Sequence, residues 1–232
     1  VGATNQGPVT ITDSSLGVTF SSTVQATTVT LTDTTDNQDI TFTGNLTATA
    51  LATTANSYDV RILGGTNTIT NDTTFAAIRN LDIGDGADTS TFTNGLSTTA
   101  ATGTVTLAGT INTTNTQMDI GAATLAANTT LDTGDAAAGV LNVGAVTSGN
   151  NALTLDSGTT AGATIGLTSF AAGQGGLTIT DAGGLVTIGA VGATNRGTVT
   201  ITDNQAGVTF SSTVQATSIS QAAGTGTTTF NG

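Results

Sequence analysis

Residues 1–27, VGATNQGPVTITDSSLGVTFSSTVQAT, return at 191–217 as VGATNRGTVTITDNQAGVTFSSTVQAT, with 22 of 27 positions identical. Val1 comes back as Val191, and Phe20 as Phe210. Inside the copied stretch lies a smaller unit. VTITD and GVTF are apolar–polar–apolar triplets closed by Asp, Ser or Gly, the period-two text of a short half-buried strand. Self-similarity of this kind decides the architecture before any local propensity does.

Outward from this stretch, the triplets recur along the whole chain. Aligned on Phe20, Phe42, Ile62, Ile83, Leu107, Leu125, Val143, Ile165, Ile188, Phe210 and Phe230, they make ten steps averaging about 21 residues. On that alignment the long repeat, Phe20 to Phe210, contains nine short ones. Runs such as Val9-Thr10-Ile11-Thr12 and Leu177-Thr178-Ile179-Thr180 alternate strictly, and Gly, Asn, Asp and Ser punctuate them. No stretch carries a helical period. A turn of two or three such strands cannot bury its apolar side chains alone, but stacking on the next turn buries them and pairs the backbone. The expectation is an all-β parallel β-helix (β-solenoid) of about 11 coils of roughly 20–23 residues. It runs as one continuous segment over 1–232, with 1–190 one long unit and 191–232 the start of the next copy. At roughly 4.8 Å per coil the rod is on the order of 50 Å long. The competing architecture, immunoglobulin-like sandwiches, has a much longer unit and features Trp and Cys, and this chain contains neither.

Composition narrows the function. Thr fills about a quarter of the positions, there are 31 Gly and 7 Phe, and only 8% of residues are charged. The interior is therefore thin and β-branched. The net charge of −12 sets fifteen acids against three arginines, Arg61, Arg79 and Arg196, with no Lys or His. Such a surface cannot neutralise a phosphate backbone or an anionic membrane, so neither nucleic acid nor membrane insertion is expected. Without Cys there is no disulfide framework or thiol chemistry.

The tandem VTITD, GVTFSSTVQAT, LDIGDGADTSTF and LNVGAV segments resemble the beta-strand-repeat regions of giant bacterial surface proteins, including filamentous-haemagglutinin and autotransporter-type adhesins. The resemblance covers essentially the whole chain. It implies a right-handed coil, export to the cell surface, and a role in adhesion, matrix or filament formation. The acidic, Lys-poor text is also similar to surface-layer proteins, some of which bind calcium. The family pattern supplies no catalytic residues.

Residue by residue, the candidate chemistry is sparse. Asp82-Ile83-Gly84-Asp85-Gly86-Ala87-Asp88 is the densest acidic stretch and partly matches the Gly/Asp calcium turns of β-rolls. The calcium motif recurs in tandem and this one does not, so a plain Gly/Asp turn is the favoured explanation. Asp13, Asp33, Asp181 and Asp203 each follow a VTIT-like strand. The spacing from Asp13 to Asp33, like that from Asp181 to Asp203, is close to one short period and puts each pair on neighbouring turns. They are either Ca²⁺ ligands or turn caps. Without His or Cys, catalysis would rest on carboxylates and arginine, as in polysaccharide-active β-helices, and only Arg79 lies near two acids, Asp82 and Asp85. The Thr-x-Thr runs at Thr10, Thr28–Thr32 and Thr198–Thr202 suggest an ice-binding face, but Asp119, Asp132 and Asn142 interrupt it. Four Asn-x-Ser/Thr sequons, at Asn45, Asn71, Asn112 and Asn128, match chance in a chain this rich in hydroxyls. The leading expectation is a non-catalytic structural module without a resident cofactor. The alternative is a calcium-dependent surface-layer or adhesin module. No polar cap is visible at Val1 or Gly232, so self-association is expected, end to end with another copy or with further repeats of the same chain.

Overall fold

In the computed structural model, residues 6–192 and 197–232 are described, so Val1 lies outside them. The described residues form 23 strands and no helix, and every pairing between strands is parallel. The chain winds as one β-solenoid of about ten turns, and each turn lays strands on three walls.

Wall I carries Val18–Phe20, Asp39–Phe42, Asp59–Ile62 and Leu81–Ile83. It continues through the first part of Val105–Asn112 and Ala123–Asp132 and the last part of Leu141–Gly149, Ile165–Ala172 and Val186–Val191. Wall II begins with the first part of Val24–Leu31 and Leu46–Thr53, then takes Thr66–Ile69, Thr89–Phe92 and the last part of Val105–Asn112 and Ala123–Asp132. It ends with Leu153–Asp156, Leu177–Ile179, Val199–Ile201 and Ile219–Gln221. Wall III runs from Val9–Ile11 through Met118–Ile120 to Val208–Phe210 and Thr228–Phe230. Wall II gives the pitch without a gap. It climbs from Val24 to Gln221 in nine steps, a pitch of about 22 residues per turn.

The core follows from the alternation. Inward residues stack as like on like: Ile40 on Val60, Phe42 on Ile62, Leu131 on Leu155, Ile179 on Ile201, all with no exposed surface. Outward neighbours are Thr, Asp and Asn. Where the chain crosses a corner in one or two residues, glycine is required by close approach. A Cβ on Gly189 would collide with the Thr168 carbonyl oxygen, and one on Gly144 would lie 2.7 Å from the Gly121 carbonyl carbon. One polar group is built into the interior. Asn67, fully buried, accepts the Leu46 N–H at 2.9 Å and donates to the Gly64 carbonyl at 2.7 Å and Ser90 Oγ at 3.0 Å. Its side chain thus closes the corner between walls I and II.

The tight corner moves around the solenoid. Val24–Leu31 and Leu46–Thr53 pass from wall II to wall III as single strands. Val105–Asn112 and Ala123–Asp132 pass from I to II, and Leu141–Gly149, Ile165–Ala172 and Val186–Val191 from III to I. This migration corrects the expected alignment. Phe20, Phe42, Ile62, Ile83, Leu107 and Leu125 do share wall I, but Val143, Ile188, Phe210 and Phe230 lie on wall III. Ile165 faces Leu141 and Val186, two positions out of the assumed register. The triplet marks a wall strand but not which wall, so the step from Leu125 to Val143 spans less than a full turn.

The long repeat is therefore not nine whole turns. Val9–Ile11 lies on wall III and its copy Val199–Ile201 on wall II. Val18–Phe20 lies on wall I and its copy Val208–Phe210 on wall III. The long repeat makes about eight and two-thirds turns, and the second copy arrives rotated back by one wall. The same text thus lies on two different walls, III and II for Val9–Ile11 and its copy, I and III for Val18–Phe20 and its copy.

Candidate functional site

The one convergence of three ligating groups among the described residues lies at the corner between walls II and III. Here the chain leaves wall II through Leu131-Asp132-Thr133-Gly134-Asp135, Leu155-Asp156-Ser157-Gly158, Ile179-Thr180-Asp181 and Ile201-Thr202-Asp203 on four successive turns. Asp132 and Asp156 stand side by side in the ladder. Each carboxylate caps its own turn: Asp132 Oδ1 accepts the Gly134 N–H at 2.6 Å, and Asp156 Oδ1 accepts that of Gly158 at 3.0 Å. Gly134 and Gly158 take φ of +85° and +78°, the left-handed turn that favours glycine. The next corner strand is tied in by Ser157, whose N–H donates to the Asp181 carbonyl at 3.1 Å.

This stacking brings Asp135, Asp156 and Asp181 together, with one carboxylate oxygen from each lying within 4.8 Å of the others. The electrostatics follow. Burial, then the charges of Asp132, Asp181 and Asp135, push the Asp156 carboxyl up to about 6, against the opposing Gly158 hydrogen bond. Asp181 is raised by burial and by Asp203 and Asp135. Clustered, partly buried carboxylates hold protons more tightly than usual, and the same oxygens suit a hard cation such as Ca²⁺, which binds through several oxygen ligands.

Of the seven aspartates singled out in the sequence, Asp181 and Asp203 belong to this corner. Asp13 and Asp33 follow wall III instead, at the corner between walls III and I, where the register of Ile11 against Leu31 carries them onto adjacent turns. Asp82, Asp85 and Asp88 do not form one centre. Asp82 points out from wall I and pairs with Arg61 Nε at 2.8 Å, while Asp88 Oδ2 accepts the Asp85 N–H at 2.8 Å within a turn. Asp85 shares a hydrogen bond with Asp88, which raises its carboxyl above the ordinary range. Arg79 binds Asp59 at 2.5 Å, and Arg61 also reaches Asp39 at 3.6 Å, so both described arginines are engaged with aspartates. Arg196 lies outside the described residues. Asp132, Asp135 and Asp156 were not singled out, although Leu-Asp-Thr/Ser-Gly at 131–134 and again at 155–158, one turn on, is a visible signature.

The threonine ladder also differs from expectation. Thr66, Thr89, Thr110, Thr130, Thr154, Thr178 and Thr200 form an unbroken outward file on wall II. Asp132 lies in the neighbouring file, and Asp119 and Asn142 lie on wall III. A surface groove of about 400 Å³ runs along the corner of walls III and I beside Asp119, Asn142, Gly144, Thr168 and Gly189. Gly144, Gly166 and Gly189 are among the residues that line it, and Asn142 Nδ2 donates to Asp119 Oδ1 at 2.8 Å. Comparison with family models, curated proteins and solved structures gives no match to this chain.

Proposed function

We propose that this chain is a structural, non-catalytic module of a repetitive extracellular surface or filament protein: a rigid spacer that sets distance and presents a polar, acidic flank. The observation that carries this reading is the rotated copy. The solenoid accepts the same repeated text on a different wall without a break in its ladder, so length is added by turns rather than organised around a site. The engaged Arg61 and Arg79 support a surface without affinity for polyanions. No helix among the described residues is long and apolar enough to cross a membrane. The resemblance to beta-strand-repeat adhesins supports a right-handed coil and a cell-surface location.

The test is duplication. A chain carrying residues 1–190 twice before 191–232 gains about eight and two-thirds turns, or roughly 42 Å of rod at roughly 4.8 Å per turn. Small-angle scattering should show the longest dimension growing by that amount at constant cross-section. Growth in cross-section instead would refute the spacer reading.

A second reading, calcium-dependent stiffening of the same rod, is favoured by the meeting of Asp135, Asp156 and Asp181. It expects the melting temperature to rise with millimolar Ca²⁺ and to fall back with chelator, and the triple variant of these aspartates to asparagine to lose that response. An identical response in the variant would place the cation elsewhere.

A further inference from the structure

Wall II presents a regular face that a spacer does not need. Its outward file from Thr66 to Thr200 offers one threonine per turn, and the pairings along it hold register from turn to turn. The one register shift in these pairings, between Leu107 and Gly109, comes before the file is reached. A second outward file lies two residues further along each strand. It carries Thr47, Thr68 and Thr91 on one flank and Thr180 and Thr202 on the other. Asn112, Asp132 and Asp156 fill the turns between. Thr180 and Thr202 extend the ladder, their N–H groups donating to the Leu155 and Ile179 carbonyls at 2.9 and 2.8 Å. The side chains between the two files are buried, from Asn67 and Ser90 to Ile179 and Ile201, so the core backs the whole face.

The threonine hydroxyls of both files make no hydrogen bond to another described residue. At the corners the same side chain is bonded. Thr102 Oγ1 donates to the Ile78 carbonyl at 3.0 Å, Thr113 Oγ1 to that of Thr116 at 2.7 Å, and Thr116 Oγ1 to that of Thr93 at 3.1 Å. On wall II the hydroxyls are left to water. The other walls offer no such face: wall I sets Arg61 beside Asp82 as an ion pair, and wall III runs through Ser97, Asp119, Asn142 and Gly166.

We propose that wall II binds the surface of an ice crystal, through water held in register by its two threonine files. Threonines of one file stand roughly 4.8 Å apart, and the files are separated by about 6.6 Å, two residues at roughly 3.3 Å each. Both repeats are near those of the oxygen lattice on a prism face of ice. Branching at Cβ restricts χ1, so each stacked hydroxyl keeps its place. The methyl group gives water no partner, and water over it bonds to other water. The hydroxyl beside it anchors one molecule of that layer. A carboxylate orients water about its own charge instead. Asp132 and Asp156 therefore divide the face into two double-file platforms joined by a single file. This binding goes beyond the spacer reading and does not depend on it.

Ice shaping under a cooling-stage microscope tests the face. A crystal in a solution of the parent chain should become faceted and stop growing over a measurable gap between melting and freezing. Thr89→Tyr with Thr178→Tyr sets a bulky ring on each platform and should abolish the gap. Thr187→Tyr sets the same ring on wall III and should leave the gap unchanged. Round crystals and no gap with the parent overturn the inference, as does a gap that survives the double variant or is lost with Thr187→Tyr. Circular dichroism checks that each variant keeps the parent's β-sheet signal. Should the double variant lose it, Thr89→Lys, a single charge on one platform, should narrow the gap, and an undiminished gap overturns the inference. A rod that lengthens on duplication yet leaves ice unshaped removes this face alone and leaves the spacer reading standing.

Discussion

At the scale of the residue, the molecule depends on a few polar side chains placed where the backbone turns. Asn67 is the clearest: it is fully buried and makes three hydrogen bonds that the backbone cannot make at that corner. Asn67→Ala strands the Leu46 N–H and the Gly64 carbonyl and should cost about 2–3 kcal/mol, read from the midpoint of denaturant unfolding. Asp156 acts in the opposite sense. Its carboxyl, held up to about 6 against an ordinary value of 3.8, binds its proton more tightly in the folded chain than in the unfolded one. The stability it contributes is fully present below about pH 4 and is lost as pH rises through about 6. Asp156→Asn should therefore raise the melting temperature at pH 7 by a few degrees, the effect of about 1 kcal/mol after discounting for its partial exposure. It should also flatten the fall in stability between the two carboxyl values. A variant that melts with the parent's pH profile would contradict the raised Asp156 carboxyl.

At the scale of the element, strands were legible and corners were not. Alternation in Leu177-Thr178-Ile179 reports one buried face, and the structure bears it out, while in Val9-Thr10-Ile11 the same alternation leaves the apolar pair half-buried and Thr10 exposed. Yet every wall asks for the same alternation, so the text is silent about which wall a triplet occupies. That is why the anchors slid from wall I to wall III after Leu125. Corners are set by glycine approach and by single side chains, and their signals are brief: Leu-Asp-Thr/Ser-Gly, or one buried Asn. The two copies of the long repeat differ at such a corner. Ser14 donates to the Gly17 carbonyl within its own turn at 2.8 Å. Its counterpart Asn204 is fully buried, accepts the Gly207 N–H at 2.5 Å, and donates to the Ala182 and Gly184 carbonyls of the turn beneath at 3.4 Å each. Reverting Asn204→Ser should cost about 1–2 kcal/mol by loss of those bridges. By contrast Ala206→Leu, on the exposed side of the same turn, should change unfolding stability by less than about 0.5 kcal/mol.

At the scale of the whole molecule, the governing fact is that the long repeat is not a whole number of turns. The fold class followed from repetition alone, because stacked short strands have few other ways to bury their apolar faces. The rotation by one wall required the pairing register. A surface feature carried by the long unit, such as the Leu-Asp-Thr/Ser-Gly corner, would then wind around a tandem array and return to the same side after three units. The threonine file of wall II supplies a ruler for the central claim. With cysteine placed at Thr200 and, in turn, at Thr178, Thr154, Thr130, Thr110, Thr89 and Thr66, spin-label distances by double electron–electron resonance should grow by roughly 4.8 Å per turn, to about 29 Å at Thr66. Distances that rise and fall with sequence separation, as strands folding back on one another would give, contradict the solenoid and everything built on it.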